Sequence, residues 1–267
     1  MNDAKSLDTI AGALSYAMGI APPAYSAAAH PLLCEYIDEK LFYKKADRVF
    51  MYNPDAIAQW VYEKYPSLLS EAVTRTDIKV PLETVMPSVT PVCFATMYTG
   101  TQPEVHGIRK YTKPVLTTDT IFDSLIRSGK KPAIVSTEND SMSKIFLERN
   151  MDYYIYDSVE KVNAKAAQLI IEDKYDFIAV YNGNFDSTMH KFGPESKEAL
   201  AELRANSRTF GMLYELICEN WKRHNTLIGF AMDHGCHEID GDCGSHGLDM
   251  EEDINIVHFY KAISKTE

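Results

Sequence analysis

Short apolar runs alternate along this chain with amphipathic stretches, and that alternation predicts its elements. Arg48-Val49-Phe50-Met51-Tyr52 has the pattern of a strand and stops at Asn53-Pro54-Asp55. Residues 56–69 then place Ile57, Trp60, Val61 and Tyr65 on one helical face. Residues 119–127 read as a helix with Asp119 near its start and Gly129 just past its end, and residues 131–136 as the strand that follows. A second such pair is an amphipathic helix over 159–172 and a strand over 175–181. Beyond the breaker Gly193-Pro194, residues 195–221 predict one long helix leading into the strand Thr226-Leu227-Ile228-Gly229-Phe230-Ala231-Met232. Ahead of these, residues 31–42 carry Leu32, Leu33, Tyr36, Ile37 and Leu41 at helical spacing, so residues 1–45 are expected to form a helical arm packed on the main body. Strands alternating with helices imply parallel pairing with helices on both faces of the sheet. No repeat or linker divides the chain, which is expected to form a single domain over residues 1–267.

Composition narrows the partners. With 267 residues, 45% of them hydrophobic, the chain can bury a substantial core, and a net charge of −11 disfavours a nucleic-acid duplex or an anionic membrane surface. Bound dications would still permit phosphate chemistry. The five cysteines, Cys34, Cys93, Cys218, Cys236 and Cys243, are scattered and odd in number, as expected of free thiols in a reducing compartment. Residues 11–29 lack a basic flank and are interrupted by Pro22 and Pro23, so neither a signal peptide nor a membrane span is expected. A cytoplasmic location follows as the expectation.

Three predicted strands release metal-type side chains at their carboxyl ends, the edge where open α/β sheets place ligand sites. Asp55, with Asn53 as the alternative, follows the first; Asp186-Ser187-Thr188-Met189-His190 follows the second. The third ends in Asp233-His234-Gly235-Cys236-His237, with Gly244-Ser245-His246-Gly247 a short loop beyond. Carboxylate and imidazole suit a borderline cation such as zinc. Asp186, His190 and His246 make one set of three, and Asp55, Asp233 and His234 another, each with a coordination position left open as in catalytic zinc sites. Two ions roughly 3.5–4 Å apart can clamp the attacking and leaving oxygens of a displacement at phosphorus. Thr90, in Pro87-Ser88-Val89-Thr90-Pro91 ahead of an apolar helical stretch, is the candidate nucleophile, at a helix start whose free N–H groups suit an anion. Plainer readings exist: Thr90 and Asp55 can cap helices, and Asp186 and His190 can form an i,i+4 ion pair. His106 reads as a turn residue before Gly107. His237, Asp240 and Asp242 read as solvated loop residues or partners of the ligating histidines.

Pro87 through Gly100, continuing through Pro103-Glu104-Val105-His106-Gly107-Ile108, resembles the nucleophile segment of the type I phosphodiesterase/nucleotide pyrophosphatase family of the alkaline phosphatase superfamily. Asp186 to His190 with Phe192-Gly193-Pro194, and Asp233-His234-Gly235 with His246-Gly247, resemble its metal motifs. The resemblance implies an alkaline phosphatase-like three-layer αβα sandwich with a mostly parallel central sheet. It also implies that Thr90 attacks phosphorus and forms a phosphothreonine, with one zinc held by Asp186, His190 and His246 and the other by Asp55, Asp233 and His234 beside Thr90. The substrate would be a small phosphate ester such as a nucleotide, cleaved at a phosphodiester or pyrophosphate bond. A phosphomonoesterase, a phosphomutase and an inactive metal-binding relative are the alternatives on the same scaffold.

Two positions depart from the family pattern. Cys93 stands where many members carry an asparagine that binds a phosphoryl oxygen, and Ala56 replaces the glycine of an Asp-Gly pair. A thiol is a weaker donor, so with Cys93 at the substrate-binding position either a backbone N–H replaces the asparagine or the substrate preference has moved. Phe94, Tyr98 and Tyr111 are candidates for stacking a nucleobase or for ordinary packing.

Overall fold

The computed structural model of the chain describes residues 4–266. Its strands are β1 (Lys5–Ser6), β2 (Arg48–Pro54), β3 (Ile78–Glu83), β4 (Pro132–Thr137), β5 (Asp152–Tyr156), β6 (Phe177–Asn182), β7 (Thr226–Phe230), β8 (His237–Ile239), β9 (Cys243–Ser245) and β10 (Asn255–Ile263). Eight of them form one sheet in the order β1-β3-β10-β7-β2-β6-β4-β5, while β8 and β9 make a separate hairpin. Within the large sheet only β10 runs against the others.

The central strands are buried at every position of β6 and β7 and at all but the first of β2. Side chains alternate between the two faces of a strand, so full burial means that both faces are covered. That is the layered, mostly parallel α/β architecture the alternation predicts. The helices Thr9–Met18 and Pro31–Leu41 of the amino-terminal region add Ile10, Leu14, Leu33 and Ile37 to the same hydrophobic core as the sheet. Residues 1–3 and 267 of the expected single unit lie outside the described residues.

Several predicted boundaries shift for local reasons. The helix expected over 56–69 begins only at Gln59 and breaks into Gln59–Lys64 and a 3-10 turn Pro66–Leu69, because Pro66 has no N–H to donate to the preceding turn. Residues 56–58 join neither; they form a buried turn beneath the strand ends. The helix near Asp119 begins at Ile121, where Thr120 and Asp123 form a reciprocal capping box. Asp119 instead pairs with Arg127. The strand expected from Tyr175 begins at Phe177, since the Asp176 carboxylate is taken by Arg48 and by the Lys131 N–H. The helix at 159–172 matches its expected bounds, capped by Ser158, and the long helix runs Lys197–Asn220 with Ser196 as its cap.

Candidate active site

Strands β7, β2 and β6 are neighbours and parallel, and their registers align Phe230 with Tyr52 and Tyr52 with Val180. Their carboxyl ends therefore finish level, and the side chains that follow them meet at one edge. Asp55 follows β2 directly, its N–H still bonded to the Asn182 carbonyl at 3.0 Å. Asp186 and His190 lie one turn apart on the helix Asn184–Phe192 that leaves β6. Asp233 and His234 follow β7, and His246 comes in from the end of the β8–β9 hairpin.

Two groups of ligating atoms result: Asp186, His190 and His246, and Asp55, Asp233 and His234, the atoms of each lying within 4.8 Å of one another. The second group is buried; His190 is exposed in the first. His246 stands between them, its ring 4.1 Å from that of His234 and 4.9 Å from that of His190. Asn53, the alternative to Asp55, is not free to join. Its amide nitrogen donates to the Ala231 carbonyl at 2.8 Å and its amide oxygen accepts from the Tyr98 hydroxyl at 2.6 Å.

Thr90 opens the helix Thr90–Thr99, and its Oγ1 lies 3.2 Å from His234 Nε2 and 3.4 Å from Asp55 Oδ2. Fewer amides face an anion there than expected, because Pro91 has no N–H and the Val92 and Cys93 N–H groups bond to the Val89 carbonyl. Cys93 is fully buried and its Sγ lies 3.1 Å from Thr84 Oγ1, which itself donates to the Asp233 carbonyl at 2.7 Å. The thiol thus contacts a residue that fixes the backbone of a metal-type ligand. Phe94 and Tyr98 are core residues with no exposed surface, whereas Tyr111 is exposed and lines the cleft beside Asp55 and Asp186. His106 meets Thr96 Oγ1 at 3.0 Å and accepts the Ile108 N–H, a local turn role.

Whether these residues suit a cation can be judged from their polar atoms. The Nδ1 atoms of His190, His234 and His246 lie 2.9 Å from the carbonyls of Gly244, Gly235 and Ser88. A carbonyl only accepts, so each Nδ1 carries a proton, and in the neutral form of each ring it is the Nε2 lone pair that turns inward. His190 Nε2 and His246 Nε2 then face each other at 3.1 Å, an arrangement that needs a proton or a cation between them. Asp55 Oδ1, Asp186 Oδ1 and Asp233 Oδ2 are buried without a hydrogen-bond partner. Asp186 Oδ1 sits 3.3 Å from the Nε2 atoms of both His190 and His246 without hydrogen-bond geometry to either. Orphaned acceptors converging with imidazole lone pairs are the donor set of a dication.

The electrostatics carry the same strain. Burial, with the Asp186 charge adding to it, pushes Asp55 up to about 7, and burial with Asp55 nearby raises Asp233 well above the carboxylate range. Burial also opposes ionisation of Asp186, but its contacts with His190 and His246 prevail and hold it below the usual value. Asp186 in turn raises His190 to about 9. Burial and the charge of His246 lower His234 to about 3, so that imidazole is neutral and able to ligate.

Two partners of this site carry no sequence signal. Tyr181, at the end of β6, donates its hydroxyl to Asp55 Oδ2, but it reads in the sequence as one more apolar strand residue. Asp253, in the turn before β10, holds His237 Nδ1 at 2.7 Å and accepts the Leu248 N–H at 2.8 Å, while its carbonyl accepts the Gly235 N–H at 2.8 Å. His237 is thus a buried partner of the loop that carries His234 and His246. All five cysteines are unpaired, including Cys236 and Cys243. Among the described residues no helix is long and apolar enough to cross a membrane.

Comparison with known proteins places this geometry in context. The sequence profile of the type I phosphodiesterase/nucleotide pyrophosphatase family matches residues 52–138 and 136–262. Human ectonucleotide pyrophosphatase/phosphodiesterase family member 7 is 36% identical over 73 residues, which is 27% of this chain and 16% of that protein. Venom phosphodiesterase of Macrovipera lebetinus is 25% identical over 183 residues, 59% of this chain and 21% of that protein. The chain therefore spans a small part of these curated relatives. Murine ectonucleotide pyrophosphatase/phosphodiesterase 5 superposes with a TM-score of 0.59 at 17% identity, covering 73% of this chain and 58% of that one. Its inactive threonine-to-alanine variant in complex with AMP gives a TM-score of 0.58 at 17% identity, covering 73% and 59%. At this identity the likeness shows the fold.

Proposed function

Because the chain belongs to the type I phosphodiesterase/nucleotide pyrophosphatase family, we propose that it is a phosphoric ester hydrolase that cleaves phosphodiester or pyrophosphate bonds through Thr90, with a divalent cation, zinc by the chemistry of the donors, in each Asp/His group. The observation that carries this reading is the Thr90 hydroxyl at a helix start within 3.4 Å of Asp55 and 3.2 Å of His234, beside a second group of the same composition. In support, a threonine-to-alanine variant of a structural relative is inactive and binds AMP.

Asp55, Asp233 and His234 would hold the cation next to Thr90, and Asp186, His190 and His246 the other. When bound, such cations supply positive charge to the nonbridging oxygens and make an alkoxide accessible near neutral pH. Thr90 Oγ1, its proton lost to solvent, would bond to phosphorus as the bond to the leaving-group oxygen breaks and that oxygen takes up a proton from water, giving a phosphothreonine ester. Water hydrolyses that ester in a second displacement and frees the hydroxyl. Tyr181 fixes Asp55 Oδ2 and favours its charged form, and Thr84 and Asp253 fix the backbone around Asp233 and Gly235. The substrate we infer is a small phosphate ester of the nucleotide kind, and the chain acts as one catalytic unit in the cytoplasm, where its unpaired thiols would stay reduced.

The test combines metal analysis with turnover of bis(p-nitrophenyl) phosphate. Wild-type protein should bind two dications, and Thr90→Ala should lower kcat by at least about 10³-fold while still binding them. Acid-quenched wild type should carry a covalent phosphoryl adduct at Thr90 by mass spectrometry. A Thr90→Ala protein that turns over as fast as wild type would refute the mechanism. Faster hydrolysis of p-nitrophenyl phosphate than of the diester would instead indicate a phosphomonoesterase.

A further inference from the structure

Beside the two Asp/His groups lies a cleft of about 450 Å³, which opens onto them through Asp55 and Asp186. Its far wall comes from the loops after β4 and β5, next to β6 in the sheet. That wall is acidic. Glu138, Asp140, Asp157 and Glu160 line it, against the single ammonium of Lys113, whose Nζ donates to the Asn139 carbonyl at 2.8 Å.

The four carboxylates are not equally available. Asp140 is buried and accepts from Ser136, Thr137 and the Ser143 N–H, so it shapes the wall. Asp157 pairs with Lys161 at 2.7 Å. Glu138 and Glu160 are exposed, and among the described residues neither carboxylate has a hydrogen-bond or ion-pair partner. Ser141 Oγ, on the same wall, is buried without a hydrogen-bond partner, which leaves a donor and acceptor for a polar ligand. Tyr111 is the cleft's exposed aromatic side chain.

A substrate that places one phosphoryl group between the Asp/His groups must lay its remaining organic part in this cleft or away from it. A cleft built for a second or third phosphate would carry guanidinium or ammonium groups facing it. Here the two unpaired carboxylates, Glu138 and Glu160, outnumber the one ammonium, Lys113. We propose that the cleft receives the organic part of the substrate and that Glu138 and Glu160 select neutral or cationic groups over anionic ones, which makes the enzyme a phosphodiesterase rather than a pyrophosphatase of polyphosphate substrates. This rests on the hydrolase reading above and narrows its substrate class.

The experiment uses three p-nitrophenyl phosphodiesters with the same leaving group, whose second ester is methyl, 2-aminoethyl or 2-carboxyethyl, assayed with the metal-loaded full chain. At low ionic strength kcat/KM for the aminoethyl ester should exceed that for the carboxyethyl ester by about tenfold, and salt should compress the ratio. In the double variant Glu138→Gln, Glu160→Gln the ratio should fall to within about twofold, while Glu138→Lys should invert it. Hydrolysis of the methyl ester with no charge preference, or a preference the glutamate variants leave unchanged, overturns the selection proposed here and leaves the hydrolase reading standing. Failure to hydrolyse any of the three overturns both.

Discussion

Ala56 shows what a single residue can reveal. It has φ +63°, in the left-handed region, and its N–H lies 3.3 Å from Asp233 Oδ1. This is the position where the resemblance led us to expect a glycine after the aspartate, and the conformation explains the expectation: a Cβ in the left-handed region costs about 1–2 kcal/mol. Ala56→Gly should raise unfolding free energy by about 0.5–1 kcal/mol in urea titration, since the relief exceeds the added entropy of the unfolded chain. Unchanged or lower stability would show that the turn is not strained. Gly235 is required for another reason, because a Cβ there would meet the Glu252 carbonyl oxygen at 2.0 Å. The glycine of Asp233-His234-Gly235 thus lets the ligand loop pass close to the turn before β10.

At the scale of elements, that turn holds the β8–β9 hairpin and the loop around it. Asp253 is buried and carries the His237 ring and the Leu248 N–H on its two carboxylate oxygens. Asp253→Ala leaves both donors unpartnered and should cost about 2–3 kcal/mol in unfolding free energy. Through the looser placement of His234 and His246 it should also weaken dication affinity about 10–100-fold, as losses around a ligand shell commonly do. Calorimetric titration with zinc checks the second effect separately from the first. An affinity equal to wild type would assign Asp253 to folding alone. The helix break at Pro66 is a contrasting case: its cause, one residue's missing N–H, is local, yet the periodicity carried a single expected helix across it.

For the whole molecule, a buried histidine far along the chain sets an acid limit. His258 on β10 is fully buried; its Nε2 donates to the Met232 carbonyl at 2.6 Å, and its Nδ1 accepts from the Tyr260 hydroxyl at 3.0 Å. Burial lowers it to about 3, whereas the unfolded chain takes up that proton near 6.5. Between those values the unfolded state binds more protons, so this histidine makes stability fall as pH drops below about 6.5. His258→Gln keeps a donor and an acceptor without the titration. The stability difference between wild type and His258→Gln should therefore shift against wild type from pH 7 toward pH 5, as measured by denaturant midpoints. A difference independent of pH would mean that His258 keeps an ordinary affinity for its proton.

The amino-acid sequence by itself determined the alternation of strands and helices, the long helix before β7, and the residue types that follow three strands. Hydrophobic periodicity and strand-end position are local properties, and they mark Asp55, Asp233 and His234 at strand ends and Asp186 and His190 on the helix after one, whereas Thr90 and His246 were singled out by the motifs around them. The choice of Asp55 over Asn53 needed the tertiary structure, because it depends on Tyr98 and Ala231 occupying the amide. Tyr181, Thr84 and Asp253 were invisible for the same reason: their roles come from contacts across the sheet, and nothing in their neighbours along the chain marks them. The strand order β7-β2-β6 was likewise not legible, yet it alone brings three separate strand ends together at one edge of the sheet. Side-chain chemistry is written residue by residue, but which chemistries meet is decided by pairings between segments distant along the chain.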